Sequence, residues 1–307
     1  MKIAVPDLVS NSYFPSIAAS ALGLFEREGL NLDLELIFPV DKAYRALRDG
    51  LVDFVGGTAH AVPAAFPNWQ GARLLAALAQ GTYWFLVMRA DLKPKRGDIS
   101  IVKGRKIGAA PMVDLAILRI LKDSQIDLAR DNVTVMPVPG STGQGVSFGV
   151  NAAKALEQGL IDGFWANGMG AEVAVKRGIG VVVLDARRGD GPPGAFHYTM
   201  PALVTTDRIV ENHFDRAQGA TRAIIATQRL LKKELARATE VGRKLFPAWE
   251  ADLIADLVAR DLPFYDCRIT ADSFKKIAEF AKAMQLASEI PDYDTIVPAK
   301  IRSLWTQ

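Results

Sequence analysis

Short apolar runs of strand length alternate along this chain with stretches whose apolar residues recur at three and four spacing. Lys2-Ile3-Ala4-Val5, Leu32 to Phe38 and Asp53 to Val55 read as strands, and Ile17 to Glu28 reads as a helix between the first two. The order then recurs. Lys106-Ile107 opens a strand, Leu115 to Ser124 reads as a helix, and Val133 to Val138 as a second strand. Both second strands stop at a proline, Pro39 or Pro139. The repeat is clearest in Ala43-Tyr-Arg-Ala-Leu-Arg-Asp-Gly-Leu-Val-Asp53 and Ala152-Ala-Lys-Ala-Leu-Glu-Gln-Gly-Leu-Ile-Asp162, which share Ala, Ala, Leu, Gly, Leu and Asp at matching positions. Gly50 and Gly159 suit the left-handed C-cap that ends each repeat helix.

Two units of strand, helix, strand, helix, strand predict two α/β lobes, because parallel strands need helical crossovers on the sheet faces. Two further apolar strands, Tyr83 to Arg89 and Tyr198 to Thr205, are expected to bridge the lobes. That gives a discontinuous first lobe of residues 1–89 plus 198–307 and a second lobe of residues 90–197. Ala217 to Leu235, Glu250 to Ala259 and Ala271 to Ala287 read as helices, the last capped by Thr270 or Asp272. The Pro-Trp segment at 298–305 is expected to dock on the body.

Composition narrows the class. Of 307 residues, 50% are hydrophobic and 23% charged, as in a packed globular protein rather than a disordered chain. Lys and Arg number 37 against 34 Asp and Glu, and a net +3 is too small to drive binding to nucleic acid or anionic lipid. The single cysteine, Cys267, excludes an internal disulfide and any CxxC zinc site. No apolar run reaches the roughly 18 residues of a membrane span, and the first residues read as a strand rather than a secretory signal. The chain is therefore expected in the cytoplasm, or in the periplasm if a leader has been removed.

A GxxxxGK[ST] phosphate loop and HExxH are missing from the sequence, so neither a metal nor a nucleotide cofactor is expected. Gly145-Val-Ser147-Phe-Gly149 fits G-x-S-x-G formally, but a nucleophile elbow needs a strand directly before the serine, and here the strand ends at Val138. Candidate ligand residues come from another rule: in open parallel sheets ligands bind beyond the carboxyl ends of the strands. The loop after the first strand holds Ser10, Asn11, Tyr13 and Phe14, with Ser12 or Ser16 as alternative helix caps. The turn Gly57-Thr58-Ala59-His60 follows another strand, its glycines allowing close backbone approach and its N–H groups a natural seat for an anion. The second-lobe counterparts are Met112 and Val113, the Val113 and Asp114 N–H groups being the other anion seat, and Trp165 and Asn167. His60 and Asn167 lie near equivalent repeat positions. Trp84 and His197 stand on the bridges, and Arg89 reads as a solvated strand end.

Four segments in order, Phe14 to Leu30, Ala46-Leu-Arg-Asp-Gly-Leu-Val-Asp53, Val102-Lys-Gly-Arg-Lys-Ile-Gly108 and Ala155-Leu-Glu-Gln-Gly-Leu-Ile-Asp162, resemble the NMT1/THI5-like group of type II periplasmic binding proteins. These are solute-binding subunits of ABC transporters for nitrate, sulfonates, taurine and thiamine precursors. The resemblance spans essentially the whole chain. It implies a two-lobe, periplasmic-binding-protein-like fold, each lobe a mainly parallel sheet with flanking helices, joined by two hinge strands that let a cleft open and close. It also implies a small organic anion or an aromatic or heterocyclic ligand, an ABC permease as partner, and a monomer or weak dimer. The alternative is a cytoplasmic decarboxylase or lyase of a small aromatic acid on the same scaffold, with His60 or His197 as general acid or base. The pyrimidine synthases of this fold carry a cysteine-rich motif that this sequence lacks.

Overall fold

A computed structural model describes residues 1–141 and 147–306. Its strands are β1 (Lys2–Val5), β2 (Asp33–Leu36), β3 (Phe54–Thr58), β4 (Ala72–Ala77), β5 (Phe85–Arg89), β6 (Lys106–Ala109), β7 (Thr134–Met136), β8 (Gly163–Ala166), β9 (Gly180–Asp185) and β10 (Pro201–Thr206). They form two five-stranded sheets, ordered β2-β1-β3-β10-β4 and β7-β6-β8-β5-β9. In each the first three strands are parallel and the fourth is antiparallel to its neighbours. Both antiparallel strands carry a register shift at one place, between Leu203 and Val204 in β10 and between Leu86 and Val87 in β5.

The internal repeat is visible in individual hydrogen bonds. Asp53 accepts the backbone N–H of Lys2 at 2.7 Å and donates its own N–H to the Lys2 carbonyl at 2.9 Å. Asp162 does the same with Lys106, at 2.9 and 2.8 Å. The repeated aspartate thus fixes the start of the central strand against its parallel neighbour. Just before it, Gly50 and Gly159 take φ of +73° and +70°, and the next residue's N–H turns back to the helix, Leu51 to the Ala46 carbonyl and Leu160 to that of Ala155. This is the C-cap geometry that glycine adopts without a Cβ penalty.

The chain divides into two compact units. The first comprises Met1–Leu8, Ser12–Gly81 and His197–Gln307; the second comprises Val9–Asn11 and Thr82–Phe196. Tyr83 to Arg89 therefore supplies β5 to the second sheet, paired with β8 and β9, and Tyr198 to Thr205 supplies β10 to the first.

Helices α1 (Phe14–Ala21) and α3 (Val40–Arg48) pack on strands of the first sheet, α2 (Leu24–Arg27) packs against α1, and α4 (Asp114–Asp123), α5 (Phe148–Glu157) and α6 (Gly168–Lys176) belong to the second unit. The single helix expected over Ile17 to Glu28 is broken between α1 and α2, because Gly23 takes φ of +68° and starts a new turn. Covered on both faces, β1 and β3 are almost continuously buried rather than alternating. Each fully buried Ile, Val or Phe there contributes about 1.5–3 kcal/mol.

Beyond β10 the first unit is helical: α7 (Asp207–Asn212), α8 (Phe214–Lys233), α9 (Ala236–Leu245), α10 (Ala248–Asp261), α11 (Ala271–Ala283), α12 (Tyr293–Ile296) and α13 (Ala299–Arg302). Thr270 caps α11, its hydroxyl accepting the Ser273 N–H at 3.1 Å. The terminal segment docks as expected, the Trp305 indole N–H donating to the Leu75 carbonyl at 3.0 Å. Among the described residues no helix is long and apolar enough to cross a membrane.

Candidate functional site

In the first unit β3 ends at Thr58, and a 3-10 helix follows over Ala59–Ala64. Because β10 runs antiparallel, its beginning lies beside the end of β3, with Pro201 opposite Thr58. Thr199 is thereby brought to the same place. Its hydroxyl lies 2.7 Å from that of Thr58, which lies 3.0 Å from His60 Nδ1. Tyr44 donates to the Thr58 carbonyl at 2.9 Å. The His60 ring meets Phe280 edge-on, with centroids 5.2 Å apart, and Phe280 stacks on Tyr198 at 4.8 Å. Thr58, His60 and Thr199 are all buried, so their polar atoms are matched to one another, as buried polar groups must be.

Three expectations for the first unit need correction. The Ala59 N–H is spent within the fold, donating to the Met200 carbonyl at 2.9 Å, so it is not an open anion donor. Gly56 and Gly57 serve packing: a Cβ on Gly57 would meet the Tyr44 hydroxyl at 2.7 Å, and one on Gly56 the Ser16 hydroxyl oxygen at 2.8 Å. Neither Ser12 nor Ser16 caps α1, whose N-cap is Tyr13 with no side-chain cap bond. Phe14, the first residue of α1, is buried edge-on against Phe246. His197 is half-buried. Burial, and then the Lys276 cation, lower its pKa from the ordinary imidazole value, with Asp272 opposing.

The second unit builds its sheet end differently. Counting from the paired aspartates, Asn167 corresponds to Thr58, not to His60. It is the N-cap of α6, accepting the Gly170 N–H at 3.1 Å. Asn11 packs beside it, since a Cβ on Gly168 would stand 2.8 Å from the Asn11 amide nitrogen. Ser10 is fully buried. Ser147 caps α5, accepts the Val150 N–H at 3.5 Å and donates to the Val9 carbonyl at 3.2 Å. Gly145 and Val146 of the G-x-S-x-G match lie outside the described residues.

After β6, Met112 takes φ of +69°, a left-handed conformation uncommon for a side chain of this size, and Val113 is buried. The Asp114 N–H donates to the Ala110 carbonyl at 2.9 Å, so this alternative anion donor is also occupied. Burial pushes the Asp114 carboxyl above the usual carboxylate range, against the backbone N–H groups that favour its ionised form. Arg89 pairs with Asp91 at the end of β5, as a solvated strand end should.

Aromatic residues occupy the rest of this sheet end. Trp84 lies 4.7 Å from Tyr83 and 6.2 Å from Trp165, centroid to centroid. Beyond them the Arg187 guanidinium covers the Tyr83 ring at 5.6 Å. Arg187 is 6% exposed, and sequence reasoning missed it. In Arg187-Arg-Gly-Asp190 it reads as part of a surface charge cluster. Its place just after β9, at a strand's carboxyl end, was the one available signal. The Trp165 indole N–H is buried and meets no acceptor among the described residues. Those residues also contain no group of three or more His, Cys, Asp or Glu able to hold a metal ion.

No family model matches the sequence, and no curated protein does. Solved structures match along its whole length. A protein of Bordetella bronchiseptica RB50 is 20% identical with a TM-score of 0.74, covering 99% of this chain and 96% of that one. The periplasmic aliphatic sulphonate-binding protein SsuA from Escherichia coli is 13% identical with a TM-score of 0.73, covering 100% of this chain and 99% of that one. A mutant of the desulfurization enzyme DszB, in complex with biphenyl-2-sulfinic acid, is 14% identical with a TM-score of 0.67, covering 99% and 98%. With its two mixed sheets and flanking helices, the chain has the α/β fold of the type II periplasmic binding proteins.

Proposed function

We propose that this chain is the solute-binding component of an ABC-type uptake system, capturing a small organic anion or an aromatic or heterocyclic molecule. The observation that carries the reading is the full-length match to SsuA, a sulphonate-binding protein, together with polar and aromatic residues gathered at the carboxyl end of each sheet. The second unit offers Ser10, Asn11, Trp84, Met112, Val113, Trp165 and Asn167, and the first offers Tyr13, Phe14, Thr58, His60 and His197. In this reading the two units are the lobes of a binding protein that works by hinge motion where the chain passes from one unit to the other. The protein acts in the periplasm, as a monomer or weak dimer, and delivers its ligand to an ABC permease.

The test is a thermal-shift screen over alkyl and aryl sulfonates, aromatic carboxylates, pyrimidines and small amino acids. A ligand at 100 times its dissociation constant adds about 2.7 kcal/mol of stability and a clear rise in Tm. A saturable shift with one class, and unchanged ligand recovered from the mixture, supports capture. Conversion of the bound compound by the purified protein alone would assign the chain to catalysis instead.

A further inference from the structure

The hydroxyls of Thr58 and Thr199 meet the ring of His60 out of reach of water, Thr58 and His60 being 0% exposed and Thr199 1%. Each hydroxyl has one proton to give, and burial requires that an acceptor take it. The Thr199 proton has two candidate acceptors among the described residues, the Thr58 oxygen at 2.7 Å and the Met200 carbonyl at 3.4 Å. The carbonyl lies beyond the roughly 2.5–3.0 Å of an O–H···O bond, and it already accepts the Ala59 N–H at 2.9 Å. Thr199 therefore donates to Thr58. Its own oxygen faces the backbone N–H of His60 at 3.4 Å, a group that can only donate. Since Thr199 is already giving its proton, the Thr58 proton goes to its other neighbour, His60 Nδ1 at 3.0 Å. The Thr58 carbonyl is engaged separately, by the Tyr44 hydroxyl at 2.9 Å.

We infer that Thr199, acting through Thr58, is a positioning residue that holds His60 as the neutral tautomer with its proton on Nε2. In that form the Nδ1 lone pair is taken up by the Thr58 hydroxyl and the other nitrogen carries a hydrogen, so the ring can only donate. The group that faces Nε2 must then be an acceptor, of the kind a carboxylate, sulfonate or carbonyl oxygen supplies. A general base needs a bare nitrogen turned to its substrate, and His60 in this tautomer offers none. The tautomer follows from the bonds alone, and its part in recognition rests on the solute-binding reading, in which the first sheet's carboxyl end meets acceptor atoms of the solute.

The test is a long-range proton–nitrogen correlation spectrum of the full chain, labelled with nitrogen-15 in its three histidines, at neutral pH. The His60 signals are those that His60→Gln removes. The parent is expected to show Nδ1 at the shift of a bare ring nitrogen and Nε2 at that of a protonated one. Thr199→Val deletes the hydroxyl and keeps the side chain's shape, so that the Thr58 oxygen is free to accept from Nδ1. The two His60 nitrogen shifts should then move toward each other, and Thr199→Ser, which keeps the hydroxyl, should restore their separation. Thr199→Ala takes the place of the valine variant if that one fails to fold by circular dichroism and Tm. A proton on Nδ1 in the parent, in a neutral or a charged ring, or parent shifts unchanged in the folded Thr199 variants, would overturn the inference and leave solute capture standing. Silence in the thermal-shift screen with the expected spectra would overturn solute capture and leave the tautomer standing.

Discussion

Two glycines in the first turn of α6 should respond in opposite ways to the same added methyl group. A Cβ on Gly170 would stand 2.6 Å from the carbonyl oxygen of Gly149 and 2.8 Å from its Cα, where ordinary contact begins at 3.4 Å. Those atoms are backbone of α5, and no side-chain rotation can clear them, so α5 and α6 must part by most of an ångström. Overpacking of this kind costs about 1–3 kcal/mol, and an immovable obstacle argues for the upper half. The helix-propensity gain of Gly→Ala returns at most about 1 kcal/mol. A net loss of about 2 kcal/mol follows for Gly170→Ala, or about 3 °C in Tm for a chain of 307 residues. The three atoms nearest a Cβ on Gly168 all belong to the side-chain amide of Asn11, at 2.8 to 3.1 Å, and a side-chain end yields more cheaply than backbone. Gly168→Ala should therefore change stability by less than about 0.5 kcal/mol while weakening ligand binding through the displaced Asn11. Urea denaturation of the parent and both variants reads this directly, as a lower midpoint with an unchanged m-value for Gly170→Ala alone. Equal stability of Gly170→Ala and parent, or a larger loss for Gly168→Ala, would refute the contact analysis.

Other consequences are simpler to check. Replacing Asp53 or Asp162 by Ala removes a charge-assisted bond to a strand N–H and should cost about 1.5–3 kcal/mol in equilibrium unfolding, with Asn recovering most of it; full stability of both Ala variants would contradict the strand-anchoring role. Burial, aided by Asp266, pushes the Cys267 thiol up to about 11, so iodoacetamide at pH 8 should label it only after unfolding, as mass spectrometry will show. The lowered pKa of His197 means that the unfolded chain takes up its proton first as pH falls. Its contribution to stability is complete above about pH 6.5, shrinks as pH falls below that toward the folded value, and should vanish from the pH profile of Tm in His197→Gln.

What the sequence disclosed, and what it concealed, follows from how local each signal is. Gly50 and Gly159 end helices through their own backbone, and Asp53 and Asp162 start strands beside them, so pattern alone located both repeats. The direction of β5 and β10 is set by distant partners, and their apolar residues look the same whichever sheet receives them. For that reason Thr199, which reaches Thr58 only because β10 runs antiparallel, could not be foreseen. Gly56 and Gly57 seemed suited to a ligand, but Ser16 and Tyr44, residues from two helices, occupy the space. Arg187 and Arg188 are adjacent and chemically alike, and only the tertiary fold buries the first against Tyr83 while sending the second to Asp185.

The placement of β10 has a consequence for biosynthesis. In the first sheet β3 and β4 do not pair with each other; each pairs with β10, which stands between them. A ribosome has therefore made every strand of the second sheet, through Asp185, before it begins the strand that completes the first. The nascent chain can close the later unit while the earlier one still presents two unpaired strand edges, reversing the usual N-terminal-first order of domain folding. Such edges are ready templates for wrong pairing. In this protein, Pro201 to Thr206 is the segment whose arrival ends that exposure.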